Sequence, residues 1–162
     1  WPGDAGIAPQ AVDYVNAHAT STPVGDKGEA KALKMVFGDH VRKLPVSSTK
    51  SMTGHLLSAA AAVESLACLA AIQYQRIPPT INLDTVDPEC DLCHVPHHAI
   101  DRAVSVAISN SFGFGGSNTT LVLRIIAASP SRSRPTGPHG SSSSTMPTGN
   151  PKPTWPTAAR RC

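Results

Sequence analysis

Residues 48–64, STKSMTGHLLSAAAAVE, set Lys50 and His55 five positions apart with Gly54 between them, directly before a run in which almost nothing is larger than alanine. A lysine offers a point charge with three donors, and a neutral imidazole offers one N–H without a charge. The positive end of a helix dipole disfavours a lysine at a helix start, so one kept there must be held by another group. A second histidine, His18, closes the run AVDYVNA and is followed by ATSTP, which brings the hydroxyls of Thr20 and Thr22. Each of these residues also has an ordinary reading. His18 can simply finish a strand, His55 can sit in a first helical turn, Lys50 can belong to a surface salt bridge, and the threonines can serve a loop or a cap.

Two further stretches have chemical potential. SFGFGGSN, residues 111–118, is a glycine-rich turn in which Gly113 and Gly115 flank Phe114. Glycine permits backbone angles closed to other residues, and taken alone the stretch is a hairpin turn. CDLCH, residues 90–94, spells the Cys-x-x-Cys-His pattern of covalent haem attachment, and with His97 and His98 nearby it also resembles a metal site.

The elements that must position these residues follow from periodicity. AVDYVNA is a short β-type run. PVGDKGEAKALKMVF has Ala30, Leu33 and Phe37 at helical spacing, the acids Asp26 and Glu29 early, and Gly38 as a stop. KLPVSST is a strand. From Thr53 to Gln73 the chain is small and apolar on nearly every side, which predicts one helix buried all round. IPPTINLDTVDPECDLCHVPHHAI is a long proline-marked excursion. RAVSVAISN and TTLVLRII are strands joined by a turn short enough to require antiparallel pairing. The order predicts an α/β layer with helices against a mixed sheet. The start, GDAGIAPQAVDY, reads as the end of a helix entering a strand, with the rest of that helix missing.

The chain of 162 residues is 40% hydrophobic and 15% charged, enough for one globular domain. Its net charge of +3 is unevenly placed: residues 129–162 hold five basic residues and no acid, leaving nine basic against eleven acidic residues before them. The domain itself therefore gives no electrostatic reason to bind nucleic acid. Residues 129–162 also hold seven of the 15 prolines and a four-serine run, a composition that cannot bury enough apolar surface to offset ordering. The expected division is a domain over 1–126 and a disordered Ser/Pro/Arg-rich tail over 127–162. No apolar run reaches the roughly 20 residues of a membrane span, and the first residues lack the basic flank and apolar core of a signal peptide.

Four runs in this order, NAHATSTPVGDKGEAKA, VSSTKSMTGHLLSAAAAVES, IPPTINLD and NSFGFGGSN, resemble the C-terminal half of an elongating β-ketoacyl-acyl-carrier-protein synthase, a condensing enzyme family that includes polyketide ketosynthases. The resemblance covers roughly residues 5–126. It implies a thiolase-like fold, of which this chain would be the second of two similar α/β halves, with layered helices on a mixed sheet of the five-stranded type. It implies decarboxylative condensation of an acyl thioester with malonyl-carrier protein in fatty-acid elongation. His18 and His55 would stabilise the enolate, supported by Lys50 paired with Glu64 on the same helix. Thr20 and Thr22 would bind the phosphopantetheine arm, and Phe114, between Gly113 and Gly115, would gate the acyl pocket. No cofactor would be bound, since the substrates ride on acyl-carrier protein. The implied partners are that carrier protein, the N-terminal half and, when complete, a second copy, with no nucleic acid or membrane. The implied location is bacterial cytoplasm or a plastid or mitochondrial matrix.

The sequence departs from the family at Ala19, Ser58 and Ala61, where glycine is usual, so small side chains are added where space is expected to be tight. None of Cys68, Cys90, Cys93 and Cys162 has the helix-N-terminal setting that lowers a thiol pKa, so the nucleophile is expected to be absent. The rival readings are a non-catalytic ketosynthase-like partner, a polyketide ketosynthase, and a haem or zinc module resting on residues 90–94 alone. Retention of His18, Lys50 and His55 together favours the catalytic family. Cutting the chain after Ala128 should leave its thermal unfolding midpoint unchanged. A clear fall would show that the tail packs on the domain.

Overall fold

The structure is a computed structural model, and it describes residues 4–126. The expected tail, residues 127–162, lies outside the described residues. A turn over residues 4–6 and a 3-10 turn at Pro9–Ala11, rather than the end of an α-helix, lead into β1 (Tyr14–Asn16). Next come α1 (Pro23–Phe37), β2 (Pro45–Ser47), the single-turn α2 (Lys50–Thr53) and α3 (Ala60–Tyr74). The long excursion carries β3 (Arg76–Ile77), β4 (Cys93–His94) and β5 (Ile100–Asp101), and the chain returns through β6 (Val106–Phe112) and β7 (Asn118–Arg124).

Five strands form one mixed sheet in the order β4-β2-β1-β6-β7. β1 runs parallel to both β2 and β6, β4 runs parallel to β2, and β6 pairs antiparallel with β7 as the short turn requires. The central strands are only three residues long because both faces are covered, so a few wholly apolar or hydrogen-bonded residues suffice. Their side chains alternate. Val15, Val46 and Ile108 meet Leu33 and Phe37 of α1, whereas Tyr14 and Ala107 meet Cys68 and Ala71 of α3.

α1 matches its expected bounds. Pro23 opens it, where a missing N–H costs nothing, and Gly38 at φ 51° closes it with its N–H on the Lys34 carbonyl. The stripe it buries is Glu29, Ala30, Leu33 and Phe37, so a carboxylate shares the apolar face.

The helix expected over Thr53–Gln73 is corrected in two ways. First, it is divided: α2 ends at Gly54 (φ 72°), and a 3-10 turn at Leu57–Ala59, with Leu57 itself at φ 51°, precedes α3. The left-handed residues at 54 and 57 break the ladder that the small-residue pattern concealed. Secondly, α3 is not buried all round. It buries Ala60, Glu64, Cys68 and Ala71, while Leu66 is 65% and Leu69 47% exposed. The sheet covers one face, and no other described element covers the opposite one. Ser58 and Ala61 are likewise exposed, so their added atoms meet no crowding within the described residues. Leu57–Tyr74 is also as long and apolar as a short membrane span, contrary to the expectation from sequence. Its inner stripe nevertheless packs on the sheet and carries an ion-paired glutamate, as a core helix does.

Leu33 is fully buried at the centre of the α1 face. Leu33→Ala should cost about 2–5 kcal/mol in denaturant unfolding. A loss well below that range would mean that α1 can settle into the void.

Candidate active site

The carboxyl ends of parallel strands are where α/β sheets open toward ligands. β1, β2 and β6 deliver their following residues to one such end: His18 two residues after β1, Lys50 three residues after β2, and Phe112 as the last residue of β6. The rings of His18 and His55 meet edge to face with centroids 5.6 Å apart, and the Phe112 ring, tilted at 49°, has its centroid 5.4 Å from that of His18. The structure thus brings together two histidines 37 residues apart in the sequence.

Lys50 is almost completely buried, and its Nζ is in direct contact with Oε1 of Glu64, itself 1% exposed. The pair therefore joins α2 to α3 across the break at Gly54, rather than lying on one continuous helix. Asn16 fastens the same junction to β1. Its side-chain amide donates to Thr49 Oγ1 at 3.0 Å and to the Glu64 carbonyl at 3.5 Å, while its Oδ1 accepts from the Thr49 N–H at 3.4 Å. His55 itself stands in the exposed stretch between the two helices.

His18 is held from the α1 side by Glu29. One carboxylate oxygen accepts from the His18 N–H (3.0 Å) and from the Asn110 side-chain amide (2.9 Å), and the other accepts from the Ala19 N–H (2.9 Å). This clamp fixes a loop in which Ala19 sits at φ 21° and Ser21 at φ 65°, conformations that need outside support in non-glycine residues. Burial pushes the Glu29 carboxyl upward, with the three donors and Lys50 pulling against it. Burial also lowers the His18 pKa below its ordinary 6.5, and the nearby Lys50 and His55 lower it further. These influences favour the neutral ring of His18, which can donate one N–H.

A cleft of about 740 Å³ is lined by Thr20, Thr22, Lys50 and His55 among others, with Ala17 and Ala19 rather than His18 itself in its wall. The Thr22 hydroxyl does not cap α1, although Thr22 is its N-cap residue. It lies so close over Gly25 that a Cβ there would come within 2.5 Å of Oγ1, so position 25 must remain glycine while the hydroxyl keeps this place. Phe114 begins a 3-10 turn between Gly113 and Gly115 (φ 79°), with its side chain fully exposed. Phe112, not Phe114, is the phenylalanine in contact with His18. Among the described residues no three His, Cys, Asp or Glu side chains converge as a metal set. Within CDLCH, His94 bonds the Cys90 carbonyl at 2.7 Å, and His97 faces Asp84.

The free thiols among the described residues do not suit nucleophilic catalysis. Cys68 is buried against the sheet with its pKa pushed up to about 12, and burial also raises that of Cys90. Sequence reasoning missed Glu29 and Asn16. Glu29 had a signal, since it falls in register with Leu33 and Phe37 on the buried stripe, where an acid has no reason to be unless something receives it. Asn16 had none, because a polar residue at a strand end is ordinary.

Comparison with known proteins agrees with this geometry. Residues 3–84 match the family described as Beta-ketoacyl synthase, C-terminal domain. The chain is 58% identical over 120 residues to 3-oxoacyl-[acyl-carrier-protein] synthase 2 of Coxiella burnetii, covering 74% of this chain and 29% of that protein. It is 51% identical over 121 residues to the Synechocystis protein of the same name, covering 75% and 29%. Among solved structures, it superimposes with a TM-score of 0.73 on a β-ketoacyl synthase from Burkholderia phymatum (38% identity, 78% of this chain and 30% of that one). With a TM-score of 0.75 it matches a chain of a complex between a type II PKS acyl-carrier protein and its ketosynthase bound to the hexaketide (40% identity, 78% and 31%). The fold is thus the C-terminal part of a thiolase-like ketosynthase, and the chain spans less than a third of the length of the curated relatives it matches. Its five-stranded sheet, its histidine pair and its matched residues have one common explanation: the chain belongs to the β-ketoacyl synthase family and carries that family's C-terminal domain.

Proposed function

We propose that this chain supplies the enolate-stabilising half of a β-ketoacyl-acyl-carrier-protein synthase acting in fatty-acid elongation. The observation that carries the proposal is the convergence of two histidine rings, 5.6 Å apart, of which His55 lines a cleft together with the buried Lys50. In the reaction, malonyl-carrier protein loses carbon dioxide, and the electron pair of the broken C–C bond passes into the thioester as an enolate. Its carbon then attacks an acyl thioester on a cysteine, a new C–C bond forms, and the cysteine thiolate leaves. Negative charge develops on the thioester oxygen in the transition state and is complete in the enolate, so N–H donors aimed at that oxygen lower the barrier.

His18 and His55 are such donors. Lys50 and Glu64 are positioning residues that anchor both ends of the stretch carrying His55, and Glu29 is the positioning residue for His18. Thr20 and Thr22 line the cleft as hydroxyls for a phosphopantetheine arm, and Phe114 with Gly113 and Gly115 forms a movable turn at the acyl end. The acyl cysteine belongs to an N-terminal half, and the substrates arrive on acyl-carrier protein without a free cofactor. The complete enzyme would work as a homodimer.

The isolated chain should neither accept an acyl group nor condense one with malonyl-carrier protein; condensation by the chain alone would overturn the division of labour. Fused in frame to an N-terminal half with its cysteine, it should condense. His18→Ala or His55→Ala should then lower decarboxylation on the order of 10²–10³-fold, the usual effect of removing one such donor, while acylation of the cysteine persists. A fused enzyme indifferent to both changes would sink the assigned roles.

The sign of the pH effect follows from His18. Its folded pKa lies below 6.5, so the stability tied to its neutral form is present above 6.5 and is lost as pH falls through the lower, folded value. An NMR titration of the His18 ring should give a midpoint below 6.5. A midpoint at or above 6.5 would show that burial and Lys50 do not act on it as described.

A further inference from the structure

The outer wall of the cleft is built by part of the long excursion. Asn82, Leu83, Val86, Asp87 and Cys90 line the cleft together with Thr20 and Thr22. This segment is anchored firmly at its two ends. Before it, Thr80 accepts from the Ser48 N–H at 2.9 Å and the Ile81 N–H donates to Ser51 Oγ at 3.0 Å. After it, β4 is paired to β2 in the main sheet. Between these anchors it has one 3-10 turn, Pro88–Cys90, and most of its residues are exposed.

Within the excursion, His94 Nε2 bonds the Cys90 carbonyl at 2.7 Å and Asp84 lies 3.6 Å from His97 Nε2, whereas the segment's fastening to α1 is charged. Lys27 Nζ lies 2.9 Å from Glu89 Oε1 and 3.4 Å from Asp87 Oδ2, and Lys34 Nζ donates to the Glu89 carbonyl at 3.1 Å. These contacts are exposed, and exposed ion pairs are individually weak and screened by salt. Such a fastening to α1 can be lost without disturbing the two anchored ends.

We propose that residues 82–91 form a strap latched onto α1 by Lys27, and that release of this latch opens the outer wall of the cleft. The strap would thus regulate the width of the passage leading to Lys50 and His55. It contributes nothing to their chemistry.

Cys90 is a natural reporter, because it sits in the latched turn, lines the cleft and is a free thiol. Alkylation of the full chain with N-ethylmaleimide, read residue by residue by mass spectrometry, measures the released state. Lys27→Met should speed alkylation of Cys90 about two- to tenfold, the range expected for losing one or two exposed ion pairs. About 1 M sodium chloride, where charges are screened within ~3 Å, should do the same to the unmodified chain and add little to the variant. Lys27→Arg should retain the slow rate. Loss of the Lys27 charge alone would make the thiolate scarcer and the reaction slower, since Lys27 opposes the carboxylates that raise the Cys90 pKa. Acceleration therefore reports opening. A Cys90 rate moved by neither salt nor Lys27→Met overturns the latch. So does an acceleration that buried Cys68 shares, because that is unfolding.

Discussion

The buried contact between Lys50 and Glu64 is the constraint on which the rest of this domain end depends. Removing an ammonium and a carboxylate from water is costly, and leaving either without the other costs roughly 3–5 kcal/mol. The two residues therefore stay together, and α2 must stay beside the beginning of α3. Between these fixed points the chain is free to leave helical geometry, and at Gly54 and Leu57 it does. A continuous helix would have carried His55 along its own axis. The broken one holds it out from two pinned feet, and Asn16 ties both feet to the central strand.

The opposite side of β1 repeats the device with different chemistry. α1 also sends a carboxylate inward, but Glu29 meets backbone N–H groups and an amide instead of a cation. Hydrogen bonds to an ionised acceptor are stronger than neutral ones, and they hold Ala19 at a backbone angle it would not keep unaided. His18 is thus oriented through its own backbone, and His55 through the segment that bears it. Two donors that meet within a few ångströms are supported by separate helices on separate faces of one sheet.

Much of this was legible in the sequence. The bounds of α1 followed from Pro23, the apolar stripe and Gly38, since each signal is local. The antiparallel β6–β7 pair followed from the brevity of its turn. The break before α3 was not legible as a whole: Gly54 is a local stop signal, but the alanine-rich run after it favours helix, and nothing in that run marks Leu57 as the second residue to leave helical geometry. Nor was β4, two residues inside a proline-marked excursion whose strand character comes from its neighbour β2. His18 and His55 were identifiable by motif, and Glu29 by its misplaced charge on a buried stripe. Phe112 was not, because two phenylalanines on either side of Gly113 look alike until the sheet fixes which one faces the histidine.

β7 ends the main sheet, and among the described residues no further strand pairs with its outer side. Its seven residues, NTTLVLR, present a row of unsatisfied N–H and C=O groups beside the half-exposed Leu121, with Arg124 as the lone charge in the strand. Natural proteins guard such edges with several charges, a proline or a bulge. Within the described residues this edge is long, β-prone and carries one charge, so it has little of its own to oppose strand addition between copies, and that exposure is independent of how well the histidines are held.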